Sequence, residues 1–387
     1  MDQVIFETPP LSFEEDAALA RIEDLWAQLR YYVSEPRRWV GSVRRVLNAR
    51  AIQGSNSIEG INVSVEDALA AIDGDEPIEA QDEDRDATLG YRRALTYVLQ
   101  LAHDPNFAYT PDVIKSLHFM MTEYALDLGP GLWRQGPIWV RNDSTGEIVY
   151  EGPDYESVPG LIDDLVAELS SADDSQPPLV KAAMAHLNLV MIHPFRDGNG
   201  RMSRCLQTLV LSREQILPKD FSSIEEYLGR RANTERYYRV LADVGRGRWN
   251  PQHGATPWVR FCLEAHYVQG LSVLRRVRES EAMWREIDAL RQRARLPERS
   301  LAALFDATIQ IRVRNSSYRA ILDQWGEGIS GQVATDDLRA MVNAELLVKR
   351  GEKRGAYYEA NDPLVEIRNR VRQARTPLSA DSLFELA

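Results

Sequence analysis

Residues 193–204, His-Pro-Phe-Arg-Asp-Gly-Asn-Gly-Arg-Met-Ser-Arg, bring several chemically competent side chains into one short segment. The apolar helical pattern over residues 182–192 runs into His193. Pro194 ends that helix, because proline disfavours helical backbone in the residue before it. His193 is the titratable group of this segment whose base form exists at neutral pH. Asp197 is a hard oxygen ligand suited to Mg²⁺. The segment therefore combines a candidate base with a candidate metal ligand.

Two glycines and two arginines extend this chemistry. Gly198 and Gly200 permit backbone conformations that other residues avoid, and a new helix is predicted to begin near Asn199 or Gly200. A helix start exposes unpaired N–H groups at the positive end of the helix dipole, which is an anion site. Arg201 and Arg204 are three residues apart and share one helix face, where both can bind phosphate oxygens. The segment therefore predicts phosphoryl or nucleotidyl transfer.

A single histidine is more often structural, and a glycine-rich turn is often only a turn. The joint pattern His-x-Phe-x-(Asp/Glu)-Gly-Asn-Gly-Arg, however, arises by chance about once in a billion start positions. This segment resembles the Fic motif in its full form, which ends Arg-x-x-Arg. Fic enzymes transfer AMP from ATP to a Ser, Thr or Tyr hydroxyl of a target protein and release pyrophosphate. The resemblance therefore implies a protein adenylyltransferase.

The resemblance also implies a role for each residue of this active loop. His193 would deprotonate the target hydroxyl, Phe195 would anchor the loop in the core, and Asp197 would hold Mg²⁺ or Mn²⁺ on the phosphates of ATP. The remaining residues would bind these phosphates: Gly198, Asn199 and Gly200 as a cradle, Arg201 in support, and Arg204 at the γ-phosphate.

Two further stretches resemble parts of Fic proteins. Pro130-Gly-Leu-Trp-Arg134, followed by Ile138-Trp-Val140, is similar to the start of the flap, a hairpin that aligns a target segment by strand addition. Glu235-Arg-Tyr-Tyr-Arg-Val-Leu241 resembles the stretch whose second tyrosine lines the nucleoside pocket. Ile138, Val140 and Tyr238 are therefore assigned to nucleotide binding. Arg141 and Gly245 depart from the family pattern, which usually has Gly after the flap triplet and in some relatives an adenine-contacting Asn.

The segment Gly54-Ser-Asn-Ser-Ile-Glu-Gly60 follows a helical pattern and carries Ser55 and Glu59 four residues apart, on one helix face. A helix cap or an exposed face would explain the pattern in isolation. Beside a Fic motif it resembles the family's inhibitory motif, (Ser/Thr)-x-x-x-Glu-(Gly/Asn), which ends here at Gly60. That resemblance implies that Glu59 pairs with Arg204 and occupies the arginine that the γ-phosphate of ATP needs.

Periodicity predicts a mainly α-helical protein with one protruding β-hairpin over residues 136–150. Three domains are expected. These are an N-terminal helical region (1–110) with an inhibitory helix at about 40–60, a Fic catalytic domain (111–295) and a winged helix-turn-helix domain (296–387). The last rests on three short helical patterns followed by two strand-like arms around a Gly/Lys/Arg turn at 346–359.

Composition restricts the partners. The net charge of −12 argues against a nucleic-acid binder as a whole, and the stretch 66–86 is strongly acidic, whereas residues 311–376 carry twelve Lys/Arg against nine Asp/Glu. The sequence lacks a long apolar run or a signal-like N-terminus, so we expect no membrane association and a cytoplasmic location. Cys205 and Cys262 lie in apolar helical patterns and are expected to be buried free thiols.

Several alternatives stay open. A Doc-like kinase shares this scaffold but carries Lys at the position of Gly200 and lacks the second arginine. A phosphocholine transferase is conceivable, although nothing in the sequence calls for it. A protein of a different class would be a DNA-binding regulator with a Fic-fold sensor, in which the winged helix contacts DNA. Self-modification and homodimer formation are also compatible with the sequence.

Overall fold

The computed structural model describes residues 5–34, 37–74, 81–141, 145–171, 176–214, 219–352, 355–373, 375, 377–378 and 383–384. Three sequence predictions fall partly on other residues. These are part of the acidic stretch, the turn of the first hairpin and the Lys-Arg turn of the second hairpin. The parts concerned, at 75–80, 142–144 and 353–354, lie outside the described residues.

The chain is mainly α-helical, which confirms the predicted fold class. Within the described ranges, every helix is too short or too polar to cross a lipid bilayer. The helices up to residue 293 are α1 (Phe13–Ser34), α2 (Val40–Ile58), α3 (Val65–Asp73), α4 (Asp82–His103), α5 (Pro111–Thr122), α6 (Val158–Ser170), α7 (Pro178–Ile192), α8 (Asn199–Arg213), α9 (Lys219–Ser222), α10 (Glu225–Leu228), α11 (Arg231–Gly245) and α12 (Thr256–Arg293).

Helices α7 and α8 form the centre of the core. Residues on all sides of α8 are buried, including Met202, Cys205 and Leu209, which is typical of a helix enclosed by others. Helices α4 and α5 pack on α8, whereas α6 and α12 pack on α7. Cys205 and Cys262 are buried free thiols, as predicted. The active loop is the connection between α7 and α8, so both of its ends are fixed by the core.

The flap is a short antiparallel hairpin of β1 (Trp139–Arg141) and β2 (Ile148–Glu151), and β3 (Gly247–Arg248) pairs in parallel with β2. Along β2, Tyr150 is buried, whereas its neighbours Val149 and Glu151, which point to the opposite face of the strand, are exposed. The Tyr150 hydroxyl donates a hydrogen bond to the Met191 carbonyl (2.7 Å), which ties the flap to the end of α7. A Cβ at Gly245 would lie 3.1 Å from the Tyr150 ring, and this close approach accounts for the glycine there.

The C-terminal unit follows the long helix α12. It contains α13 (Ser300–Thr308), α14 (Asn315–Gln324), α15 (Gly331–Asn343), the antiparallel pair β4 (Leu347–Arg350) and β5 (Tyr357–Ala360), and α16 (Asp362–Gln373). Helices α13 and α16 pack against α12. Arg45 of α2 reaches this unit, because its guanidinium pairs with the buried Asp306 carboxylate at 2.9 Å. Burial raises the pKa of Asp306, and Arg45 opposes that rise. The C-terminal unit is therefore joined to α2 as well as to α12.

Candidate active site

His193 ends α7 in the left-handed conformation (φ 51°), which is uncommon for a residue other than glycine. Arg134 holds this part of the loop through two hydrogen bonds to backbone carbonyls. Its side-chain Nε donates to the His193 carbonyl (2.9 Å), and its backbone N–H donates to the Pro194 carbonyl (2.9 Å). The ring Nδ1 lies 3.0 Å from the Val190 carbonyl, which can only accept, so Nδ1 carries the proton. The lone pair of Nε2 is consequently the basic site.

The protonation state of His193 follows from its surroundings. Burial is the largest influence and lowers the pKa of His193 below its ordinary value, and the Arg134 charge acts in the same direction. The hydrogen bond to Val190 and the carboxylates of Glu59 and Asp197 oppose this change and are outweighed. His193 is therefore neutral at pH 7 and able to accept a proton on Nε2.

Phe195 anchors the loop in the core. Its ring is fully buried and stacks on the His118 ring at 3.6 Å between centroids with an interplanar angle of 3°. The Asn199 side chain closes the loop, because its Oδ1 accepts from the Phe195 N–H and its Nδ2 donates to the Phe195 carbonyl, both at 2.9 Å. The side-chain amide of Asn199 thus makes its hydrogen bonds within the loop, and Asn199 is also the first residue of α8.

Gly198 is the N-cap of α8 and has a φ of 74°. A Cβ there would lie 3.1 Å from Thr122 and 3.4 Å from His118, so both the conformation and the space favour glycine. Helix α8 begins at Asn199. The N–H groups of its first turn precede the first carbonyl partner within the helix, and they point out of the helix N-terminus. This start of α8 is suited to bind an anion.

Asp197 and Arg201 border this anion site. The Asp197 side chain is 52% exposed and lies 3.5 Å from the Arg201 guanidinium. Arg201 itself is buried, and its Nε has no hydrogen-bond partner among the described residues. Those residues also contain no group of three or more His, Cys, Asp or Glu side chains that could hold a metal ion. One exposed carboxylate beside a helix start suited to an anion fits the usual binding of Mg²⁺, which keeps several waters and is held by one or two carboxylates together with phosphates.

Arg204 lies at the bottom of the site and is 2% exposed. Its guanidinium donates to the Ser55 hydroxyl (2.7 Å), the Ser55 carbonyl (3.0 Å) and Glu59 Oε1 (2.6 Å). Burial opposes the charge of Arg204, but Glu59, Tyr237 and Tyr91 outweigh it and raise the pKa of Arg204 above its usual range. Its Nη1 is buried without a hydrogen-bond partner among the described residues. The arginine therefore stays charged and is held by α2.

Glu59 is the C-cap of α2, and Gly60 ends the helix with a φ of 77°. The Glu59 carboxylate crosses directly over Gly200. A Cβ at position 200 would overlap Glu59 Oε1 and lie 3.2 Å from Arg204 Nη1. Any residue other than glycine at position 200 would therefore compete with Glu59 for space beside Arg204.

The residues predicted for the nucleoside pocket lie around this centre. Tyr238 is 46% exposed and donates to the Ile58 carbonyl at 3.0 Å, so it contacts the end of α2. Ile138 precedes β1, and its carbonyl accepts from the Gly152 N–H at 3.1 Å. Val140 is partly buried and packs against the core from β1. Arg141 donates to the Gly146 carbonyl (3.1 Å) and so bridges its own hairpin.

Sequence reasoning missed three residues that support the site: His118, Arg134 and Tyr237. His118 accepts from the Gly131 N–H on Nδ1 (2.9 Å), and its Nε2 therefore carries the proton and donates to the Asp197 carbonyl (2.9 Å). His118 lies on α5, far in sequence from the loop. The four-residue spacing from His118 to Thr122 hinted at a helix face, but nothing in the sequence indicated that this face meets the loop.

Tyr237 belongs to a buried polar chain beside Arg204. Its hydroxyl lies 3.0 Å from His186 Nε2, and His186 Nδ1 lies 2.6 Å from Gln207 Oε1. Gln207 then donates to His266 Nε2 at 3.2 Å. The imidazole rings of His186 and His266 are thereby each assigned a neutral tautomer. This chain of hydrogen bonds fixes the side of α8 from which Arg204 projects.

The chain is similar in sequence to known proteins. The model of the Fic/DOC family matches residues 108–211, which include the flap and the active loop. The "Protein adenylyltransferase Fic" of Nematostella vectensis is 26% identical over 175 residues, which are 45% of this chain and 38% of that protein. The "Protein adenylyltransferase fic-1" of Caenorhabditis briggsae is 39% identical over 75 residues, 19% of this chain and 14% of that protein. The chain thus covers well under half of these curated relatives.

Solved structures share the fold. A Fic family protein from Desulfovibrio desulfuricans superimposes with a TM-score of 0.58 at 21% identity, over 92% of this chain and 98% of that one. A Fic domain containing signaling protein from Bacteroides thetaiotaomicron gives a TM-score of 0.56 at 21% identity, over 67% of this chain and 97% of that one. The fold and the loop define a Fic-type helical domain. Residues 108–211 thus form a domain of the Fic/DOC family.

Proposed function

We propose that this protein is a protein adenylyltransferase, which transfers AMP from ATP to a hydroxyl group of a target protein and is held inactive by Glu59. The observation that carries the proposal is the Arg204 guanidinium, which is bound by Glu59 at 2.6 Å beside a helix start suited to phosphates. The relatives named as adenylyltransferases support the reaction type.

The transfer step follows from the His193 tautomer. With Nδ1 protonated against Val190, Nε2 accepts the proton of the target hydroxyl as its oxygen attacks the α-phosphorus. A bond forms between that oxygen and phosphorus, and the bond from phosphorus to the bridging oxygen breaks, so pyrophosphate leaves. The first-turn N–H groups of α8 and Arg201 bind the phosphates. Mg²⁺ held by Asp197 would neutralise part of the phosphate charge.

Inhibition follows from competition for Arg204. The guanidinium can bind either Glu59 or the γ-phosphate, and Glu59 is tethered in the same chain at a high effective concentration. ATP that enters without this arginine is not fixed for in-line attack on its α-phosphorus. Tyr238 contacts Ile58 at the end of the inhibitory helix, so the nucleoside pocket and the inhibitory helix share a boundary.

AMP transfer is favoured over the Doc-like kinase reaction by position 200. The space beside Gly200 holds the Glu59 carboxylate, and a lysine at 200 would remove that space. The second arginine, Arg204, is present and buried. Both features belong to a site in which an inhibitory carboxylate and a γ-phosphate alternate. A phosphocholine transferase has no comparable support.

The C-terminal unit is proposed to be a winged helix that contacts proteins rather than DNA. A DNA-reading helix needs exposed basic side chains for phosphates and bases. On the outward face of α15, Arg339 pairs with the exposed Asp336 at 3.1 Å, and Gln332 also donates to Asp336. This face therefore has little excess positive charge to attract phosphates.

The test is whether the α- or the γ-phosphate of ATP supplies the transferred label. Glu59→Gly protein is incubated with cell lysate, Mg²⁺ and ATP labelled on either the α- or the γ-phosphate. Label from the α-position on target proteins or on the protein itself is expected, with none from the γ-position. Transfer of the γ-label alone would contradict the proposal in favour of a kinase. His193→Ala in the same background serves as the control for a catalysed reaction.

A further inference from the structure

The inhibitory helix α2 touches α10 backbone to backbone at one point, next to Ser55. A Cβ at Gly54 would lie 2.8 Å from the carbonyl carbon of Glu225, and one at Gly229 would lie 2.5 Å from the Cα of Gly54. Gly54 is inside a helix and Gly229 has a φ of −72°, so neither conformation requires glycine. A glycine inside a helix costs about 0.5–1 kcal/mol relative to alanine. The close approach of the two backbones is therefore what these glycines provide.

Helix α10 is held in place by side chains of two core helices. The Glu226 carboxylate accepts hydrogen bonds from Arg276 (2.5 Å) and Gln269 (3.1 Å) of α12. Glu225 accepts a hydrogen bond from the fully buried Tyr91 of α4. Since α10 is tied to two core helices, an enlarged contact would displace α2 rather than α10.

The depth of α2 decides whether inhibition is possible at all. Ser55, the next residue, is fully buried and binds Arg204 through both its hydroxyl and its carbonyl. Glu59 lies one helical turn further and reaches Arg204 at 2.6 Å. Hydrogen bonds weaken steeply once donor and acceptor separate beyond about 3.5 Å. An outward shift of α2 by about 1 Å, the distance that a methyl group at position 54 needs, would therefore break this set of contacts.

We propose that Gly54 and Gly229 are positioning residues for autoinhibition, because their side-chain-free contact places Glu59 within reach of Arg204. This inference rests on the proposed function. Adding one methyl group at either position is expected to expel Glu59 and to activate transfer without any change in the inhibitory motif. The shift in the balance between inhibited and open protein is expected to be roughly tenfold to a hundredfold, the range typical of overpacked contacts.

The experiment compares Gly54→Ala with Gly41→Ala in the full chain. Gly41 lies on the same helix, and the nearest heavy atom to a Cβ there is Gln324 Oε1 at 3.9 Å, which is ordinary contact. Both changes replace Gly by Ala within α2, and only the one at position 54 places a Cβ against a neighbouring backbone. With α-labelled ATP, Gly54→Ala should show transfer well above wild type, and Gly41→Ala should match wild type. A double variant Gly54→Ala/Glu59→Gly should be no more active than Glu59→Gly alone.

Hydrogen exchange of the amides at residues 55–60 gives a second readout that does not depend on activity. Faster exchange in Gly54→Ala than in Gly41→Ala supports the inference, and equal exchange overturns it. An inactive Glu59→Gly variant would end the proposed function, while the exchange data would still decide the role of Gly54. Should Gly54→Ala fail to fold, Gly229→Ala tests the same contact from α10. If a folded Gly54→Ala or Gly229→Ala protein is inhibited as completely as wild type, the inference is refuted.

Discussion

Acidification between pH 7.5 and pH 5.5 is expected to destabilise this protein through three buried histidines that support the active site. His118 holds the active loop, whereas His186 and His266 belong to the polar chain beside Arg204. Burial lowers the pKa of His118 to about 4 and the pKa values of His186 and His266 to about 3. All three are therefore neutral in the folded protein throughout this pH range.

The free energy of unfolding falls as the pH falls, because the unfolded state binds more protons than the folded state. In the unfolded chain these histidines titrate near pH 6.5, so below that value the unfolded state binds protons that the folded state excludes. Stability is complete above about pH 6.5 and falls as the pH decreases towards the folded pKa values. At pH 5.5 each histidine costs about 1.4 kcal/mol, and the three together cost about 4 kcal/mol. Glu226 contributes little here, because Arg276 helps to lower its pKa to about 2 from 4.5 and the group stays ionised in both states.

Urea unfolding at pH 7.5 and pH 5.5 measures this loss directly. In His266→Gln the difference in unfolding free energy between the two pH values should shrink by about 1.4 kcal/mol. His103→Gln is the matched control, because the His103 side chain is exposed on α4, and it should leave the difference unchanged. Equal unfolding free energies at the two pH values, with wild-type protein, would refute the argument from buried neutral histidines.

Two further predictions concern the transfer step in an activated Glu59→Gly background. His193→Ala should lower the rate of AMP transfer by about 10²- to 10⁴-fold, as is common for loss of a general base, while ATP binding measured by calorimetry persists; undiminished transfer would remove His193 from the mechanism. Transfer should stop with EDTA and return with Mg²⁺ or Mn²⁺, and Asp197→Ala should behave like EDTA treatment, because the phosphate charge then lacks its counterion. Metal-independent transfer in a radiolabel assay would contradict the assignment of Asp197.

The sequence predicts the helical fold well because its apolar residues recur with helical spacing over long stretches. It also points to the residues 193–204, because Pro194 ends one helix and Gly198 begins the next, so their order along the chain already sets their neighbourhood. Helix α2 spans Val40–Ile58, close to the inhibitory helix predicted at about 40–60, whereas α3, α10 and α16 were not predicted.

Contacts between distant segments could not be predicted from periodicity. His118 stacks on Phe195, although the sequence around neither residue indicates that the two are in contact. The contact of Gly54 with Gly229 depends on where α10 sits, and a four-residue helix leaves almost no pattern in a sequence. Gly245 departs from the expected pocket residue for a similar reason, because the Tyr150 ring of the flap occupies the adjoining space.

The measurement that tests the central claim most directly is the rate of AMP transfer by Glu59→Gly relative to wild type. Loss of a hydrogen bond between charged groups worth about 1.5–3 kcal/mol should release Arg204 and raise the rate by about 10- to 150-fold. Glu123→Gly is the matched control, since Glu123 caps α5 and pairs with Arg93 at the surface. Adding Arg204→Ala to Glu59→Gly should abolish the gain. Equal rates for wild type and Glu59→Gly, on self and on lysate proteins, would contradict inhibition by Glu59.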